Sequence, residues 1–249
     1  MFTTIETLTS LRSIHGNFSE REVSMQDLET ILDCAIRAAN ASNRQSYSIV
    51  VVEDSEAIFN CCGYRGSKAL LFCVDFNRLV ALAKHTGHEY NAEGPVNFIT
   101  GAVDTMLVAQ SAAVAAKALG IDSLFTNGIH RKGLAKVAQQ FNLPPKYCFP
   151  LILLVLGYPT EEPTFLKGRV RSGVIHSGHY QSLSGAELDK LVREYDAPEN
   201  HLGLSTTWAA DGFGHYLDWF FEKWSGRGDP AKEKEFMDFL IQAGFLKMQ

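Results

Sequence analysis

The sequence predicts a layered α+β or α/β fold, and three observations lead there. Residues 48–53 (SIVVVE), a β-branched run, and the short apolar runs 69–75 (ALLFCVD) and 150–157 (PLILLVLG) read as strands. The third is apolar without interruption, as a strand covered on both faces must be. Long segments with apolar residues at helical spacing separate these runs, an order that favours sheet-and-helix layers over a barrel or sandwich.

Taken in order, residues 4–11 read as a short helix leading into Arg12-Ser13-Ile14-His15. Ser24 can cap a second helix, with Asp27 three residues on and Leu28, Ile31, Leu32, Ala35 and Ile36 on one face. Residues 40–46 are polar and loop-like. An Ala-rich helix over 104–119, stopped by Gly120, carries small residues that let another helix approach closely, which places it in the core or at a dimer interface. Residues 130–141 read as an amphipathic helix ended by Leu143-Pro144-Pro145.

Beyond about residue 181 the character changes, and all three tryptophans fall there. Ser184 with Glu187 forms a capping box for a helix reaching Tyr195, and Asp229-Pro230 opens a last helix closed by Gly244. Phe213, Tyr216, Leu217, Phe220, Phe221 and Trp224 share one helical stripe, with Trp219 off it as a candidate pocket-lining residue. The expected organisation is a core over 1–180 and an aromatic-rich helical extension over 181–249.

Composition narrows the partners. The net charge of −5 gives no global basic field for nucleic acid, so any phosphate must be held by a few local cations and backbone N–H groups. The five cysteines form no C-x-x-C pair. The N-terminus lacks the apolar block of a signal peptide, and the run 151–156 is too short to cross a bilayer. A soluble cytoplasmic chain with no nucleic-acid or membrane partner is expected. Two H-x-x-H pairs, His85/His88 and His176/His179, lack an obvious third ligand, so no metal is expected. Gly212-Phe213-Gly214 lacks the third glycine and preceding strand of a dinucleotide fingerprint. The Cys61-Cys62-Gly63-Tyr64-Arg65-Gly66 segment reads either as a tight turn with buried thiols or as a loop placing Tyr64 or Arg65 at the mouth of a pocket.

Several elements could together hold an anionic ligand: Arg12-Ser13 beside His15, the Asn-rich loop 40–45, Asn127-Gly128, and Lys167-Gly168-Arg169. Arginine offers bidentate contacts to phosphate, while serine and backbone N–H groups add neutral donors. Surface ion pairs and a plain Asn-Gly turn account for the same residues one by one.

The order of these pieces resembles the nitroreductase family. LRSIH followed by Phe18 is similar to that family's N-terminal Arg-Arg-Ser-x-Arg/Lys segment, and ANASNRQSY to its Pro-Ser-x-x-Asn-x-Gln-Pro-Trp loop before a strand. GAVDTMLVAQSAAVAAKALGID is similar to its central helix, LILLVLGYP to its closing strand, and KGRVRSGVIHSGHY to its Lys-x-Arg phosphate tail. The resemblance covers about residues 1–180.

It implies an α+β core with a central mixed sheet flanked by helices, a C-terminal helical extension, bound FMN, and a homodimer with flavin sites between subunits. By position, Arg12 and Ser13 would hold the phosphate and ribityl end, and His15 would sit near the flavin N1/O2 edge. Asn40 would contact the flavin from the partner subunit with Asn43 supporting its loop. Asn127 and Gly128 would offer backbone N–H to the N5/O4 edge, and Arg169 with Lys167 would close on the phosphate. The implied reaction passes two electrons from NAD(P)H to a small organic acceptor, a nitroaromatic or quinone, by a ping-pong mechanism in which the cofactor carries the chemistry and no catalytic side chain is needed. A flavin-binding protein for storage or sensing is the alternative.

Two departures stand out. Leu11 replaces the family's first arginine, and His15 replaces a permanently charged residue with one that changes charge near neutral pH. Looser FMN binding and a pH-dependent support of reduced flavin are therefore expected. Ala39 and Ser46 replace prolines, which predicts a less rigid 39–47 loop.

Overall fold

A computed structural model describes residues 3–162, 168–200, 207–225 and 228–247. The chain forms two compact units, Met1–Glu162 with Asp229–Gln249, and Pro163–Gly228.

The first unit opens with α1 (Thr4–Thr9), closed at its start by a Thr3/Glu6 capping box, and α2 (Met25–Ala35), capped by the Ser24 hydroxyl as expected. Four strands follow along the chain: β1 (Tyr47–Val52), β2 (Lys68–Asp75), β3 (Asp122–Thr126) and β4 (Cys148–Gly157). Their order in the sheet is β1-β2-β4-β3, and every pairing between them is antiparallel. The sheet was expected to be mixed and is antiparallel throughout, since its neighbours along the order run in opposite directions; the one parallel contact, Ser13 to Ser123, is an isolated bridge outside the named strands. Pro150 cannot donate to a ladder, and it sits in the interior strand β4. The pairing register shifts there, with Phe72 opposite Ile152 but Cys73 opposite Pro150. This bulge absorbs the missing donor.

Side chains alternate across the two central strands. Leu70, Phe72, Leu154 and Leu156 pack with Leu28, Ile31 and Ala35 of α2 and with Val108, Ala109 and Ala112 of α5 (Pro95–Ala118). Leu71, Cys73, Leu153 and Val155 face the other way, onto α3 (Ser55–Cys62), α6 (Gly128–Lys132) and α7 (Leu134–Gln140). A third cluster, built on Phe76, Phe149 and Phe245, gathers α4 (Asn77–His85) and the last helix, α10 (Pro230–Gln242), opened by Asp229-Pro230 as expected. The sheet is therefore covered on both faces by helices.

Four expectations change. The central helix begins at Pro95, not near 104, because Pro95 in its first turn starts it and Gly101 lets it lie against Val74 and Phe76, where a Cβ would come within 2.6 Å of Val74. The helix read over 130–141 is two, α6 and α7, broken at Gly133, whose φ of 108° no ordinary side chain favours. The segment before Gly63 is the helix α3, capped by Asp54, and not a tight turn, although both its thiols are buried. The short strand β3 was not anticipated.

In length and composition α5 matches a membrane-crossing helix, but one of its faces is core. Its other face exposes Val96, Ile99, Val103, Met106 and Leu107. All five cysteines are free thiols, and all but Cys34 are buried.

The second unit contains α8 (Gly185–Tyr195), closed by the expected Ser184/Glu187 capping box, and α9 (Tyr216–Trp219), which runs into a π-helical turn, Phe220–Trp224. Asp196 ties them, accepting from Tyr216 N at 2.9 Å and meeting His215 Nδ1 at 2.7 Å. The aromatic stripe is not a single buried face: Tyr216 is buried, while Phe221 and Trp224 are exposed.

Candidate functional site

The segment Arg12-Ser13-Ile14-His15 lies beside β3. Ser13 bridges Ser123 in parallel, and Ile14 N donates to Ser123 O at 3.1 Å. Ile14 is buried, which turns Ser13 and His15 outward with their polar groups exposed. The strand direction carries this segment toward the far end of β3, where Asn127 and Gly128 begin α6.

The end of α3 joins those two pieces. The Tyr64 ring meets His15 edge-on at 6.5 Å between centroids and lies against Gly16. Behind it the Cys62 carbonyl rests on Gly128, where a Cβ would stand 2.3 Å from that oxygen. Only glycine allows this approach. Asn127 is exposed, and the Gly128 amide donates to Thr126 Oγ1 at 2.9 Å. Of the two residues proposed for the pocket mouth, Tyr64 stands beside His15, whereas Arg65 is drawn to Glu56 at 2.5 Å and lies over Phe59.

Arg12 is engaged already. Its Nε lies 3.1 Å from both oxygens of Asp122, and its Nη2 lies 2.5 Å from Asp122 Oδ2 and 2.8 Å from Glu162 Oε2. Asp122 is buried and also accepts from Lys117 Nζ at 2.8 Å. The Asp122 hydrogen bonds, ahead of any other cause, hold the Arg12 guanidinium above its usual pKa, so it is a permanent cation. Hydrogen bonding from the neighbouring Cys61 pulls the Cys62 thiol below its ordinary pKa against the opposing effect of burial, helped by Tyr64 N at 3.4 Å and by Lys132 and Arg131.

Asn40 and Asn43 lie elsewhere. Their loop precedes β1, at the end of the sheet where β2 finishes and β4 starts, whereas Asp122 pairs with Gly157 where β4 finishes. Within one chain, Asn40 and Asn43 are thus not brought to Arg12. The loop is braced, not loosened. Asp104 of α5, 2% exposed, accepts from Ala41 N at 2.8 Å and from Ser46 Oγ at 2.6 Å. Asn40 Oδ1 accepts from Gln45 N, and Arg78 Nη2 donates to the carbonyls of Arg44 and Gln45. These clamps hold Ser42, Asn43 and Gln45 at φ of 53°, 53° and 51°, a left-handed conformation that side chains resist.

Arg169 lies in the second unit, with Nη1 donating to Gly168 O at 2.8 Å. Lys167 falls outside the described residues. Among the described residues no cluster of three or more His, Cys, Asp or Glu side chains could hold a metal ion. Asp122 and Asp104 were missed by sequence reasoning, whereas Cys62 was noted as a buried thiol without its carbonyl contact to Gly128. The signal for Asp104 was available, as the one acidic residue of α5.

A sheet covered on both faces, with exposed polar donors gathered at the edge beside β3, belongs to a layered α+β class that other proteins share over their full length. An NADPH:FMN oxidoreductase from Vibrio harveyi, solved in complex with NAD+, superposes with a TM-score of 0.78 at 23% identity, covering 98% of this chain and 99% of that one. The Nitroreductase family model matches residues 8–93. An oxygen-insensitive NADPH nitroreductase of Salmonella typhimurium is 31% identical over 205 residues, 79% of this chain and 80% of that protein. An NADPH-flavin oxidoreductase of Vibrio harveyi is 27% identical over 222 residues, 85% of this chain and 90% of the relative. The chain belongs to the nitroreductase family.

Proposed function

We propose that this chain is an FMN-dependent oxidoreductase that passes two electrons from NAD(P)H to a small organic acceptor, a nitroaromatic or quinone, in a ping-pong exchange. The observation that carries the reading is the row of Arg12, Ser13, His15, Tyr64 and Asn127 along β3, from Asp122 at its start to just past Thr126 at its end, in a chain whose relatives are named as flavin and nitro reductases. The donor set suits FMN: a permanent guanidinium for the phosphate, a serine hydroxyl for the ribityl chain, and an imidazole and a carboxamide for the polar edge of the ring.

When bound, FMN supplies the two-electron chemistry, accepting hydride and returning it to the acceptor. The chain's own part is to hold and orient. Arg12 and Ser13 position the phosphate end. His15 faces the pyrimidine edge, steadied by the Tyr64 ring. Asn127 and Gly128 supply the turn beside the reacting edge, kept in place by the Cys62 carbonyl. Asn40 and Asn43, at the other end of the sheet, serve a site completed by a second copy. The exposed apolar face of α5, with Val96, Ile99 and Val103 at 78%, 61% and 54% exposure, supports a homodimer.

The test is an anaerobic titration of the purified yellow protein with NADH and NADPH. Bleaching, followed by recovery of colour on adding a nitroaromatic or quinone, is expected. A colourless protein that takes up no FMN overturns the reading, and bound flavin that neither nucleotide reduces favours storage or sensing instead.

A further inference from the structure

We propose that Glu162 is a carboxylate latch on Arg12 which the phosphate of FMN displaces, so that Glu162 sets how strongly the chain prefers a phosphorylated flavin. This rests on the reading that Arg12 faces the flavin phosphate.

The two carboxylates on Arg12 are not equivalent. Asp122 is 4% exposed and holds Lys117 as well as Arg12, and a buried carboxylate cannot be left without its cations. That contact stays. Glu162 is 76% exposed and touches only the outer Nη2 edge, at 2.8 Å. An exposed pair of this kind contributes little and exchanges readily. A phosphate, with more charge and three acceptor oxygens, suits the same outer edge of the guanidinium.

The position of Glu162 is built into the fold. Residues 158–160 are strapped to residues 17–19: Ser19 N donates to Tyr158 O at 2.7 Å, Thr160 N to Asn17 O at 2.8 Å, and Phe18 bridges Pro159. Phe18 also lies against Gly157, where a Cβ would stand 2.8 Å from its ring. Glu162 thus leaves the strap two residues beyond Thr160, on the chain that has just passed the Arg12 segment. Arg12 and Lys117 are balanced by Asp122 and Glu162, so an arriving phosphate meets a neutral cluster. Without the Glu162 charge it meets a net cation.

The test uses the full chain freed of flavin, titrated with FMN and with riboflavin and followed by quenching of flavin fluorescence. Glu162→Gln is expected to lower the FMN dissociation constant by about 3- to 10-fold and leave riboflavin unchanged. The gap between wild type and variant should narrow as salt is raised. Equal FMN constants in both proteins, with FMN still preferred over riboflavin, overturn the latch and leave the phosphate reading standing. Tightening of both flavins alike also overturns the latch, because the phosphate is then not the competitor. Wild-type protein that binds FMN and riboflavin equally, or binds neither, overturns the phosphate reading itself and the latch with it.

Discussion

Removing the Asp104 carboxylate should loosen the 40–46 loop and destabilise the core together. Asp104 is 2% exposed and accepts hydrogen bonds at 2.8 Å from Ala41 N and 2.6 Å from Ser46 Oγ. Hydrogen bonds to a charged group contribute about 1.5–3 kcal/mol each, and a buried donor left unsatisfied costs about 1–3 kcal/mol. The desolvation of the carboxylate opposes these gains, so Asp104→Ala should cost about 3 kcal/mol overall. Asp104→Asn keeps the shape, can still accept from Ala41 N and can donate to Ser46 Oγ, and should cost about 1 kcal/mol. Urea unfolding at neutral pH measures both. Hydrogen exchange at Ala41 and Gln45 should rise in the alanine variant beyond what the global stability loss explains. An alanine variant within about 0.5 kcal/mol of wild type, the scale of an ordinary surface substitution, would refute the clamp.

Two further outcomes follow from groups at the edges of the core. His130 is held below its ordinary pKa of 6.5 chiefly by burial, partly offset by its contact with the Pro150 carbonyl. The unfolded chain therefore binds more protons between the folded pKa and about 6.5, and stability falls as pH drops through that window. His130→Gln should lose less stability than wild type between pH 7.5 and pH 5.5 in paired urea titrations, and an equal loss would remove His130 as a cause. At the exposed face of α5, Ile99→Asp with Val103→Asp should convert a dimer to a monomer in sedimentation, since two carboxylates cannot be buried unpaired against a second copy. An unchanged dimer would move the interface off this helix.

The strands with continuous apolar character were legible because burial on both faces leaves no room for polar residues, and β1, β2 and β4 fall within two residues of their expected bounds. The caps at Ser24, Ser184 and Asp229 were legible because each is a local hydrogen bond. β3 escaped because DSLFT is short and half polar, its place fixed by pairing with β4 and not by its own pattern. The front of α5 escaped because Gly101 and β-branched residues lower its intrinsic helix preference, while packing on Val74 and Phe76 decides the matter. At the site, the order of Arg12, Ser13, His15 and Asn127 along the chain was visible. The partners that define their roles were not: Asp122 meets Arg12 across 110 positions, and Asp104 meets Ala41 across 63. Such pairs exist only once the sheet has brought distant segments together.

The bridge between Ser13 and Ser123 has a consequence for the unliganded chain in a crowded solution. β3 is an outer strand of the sheet, and an uncovered outer strand offers its unpaired amides and carbonyls to any other chain. The segment that carries Arg12 and His15 lies along this border and takes up part of that hydrogen-bonding capacity, through Ile14 N and Ser123 O. The same few residues thus guard against strand-to-strand self-association. Their sequence answers to two demands at once, and a change made for one will be felt in the solubility of the folded protein as well as in what it holds.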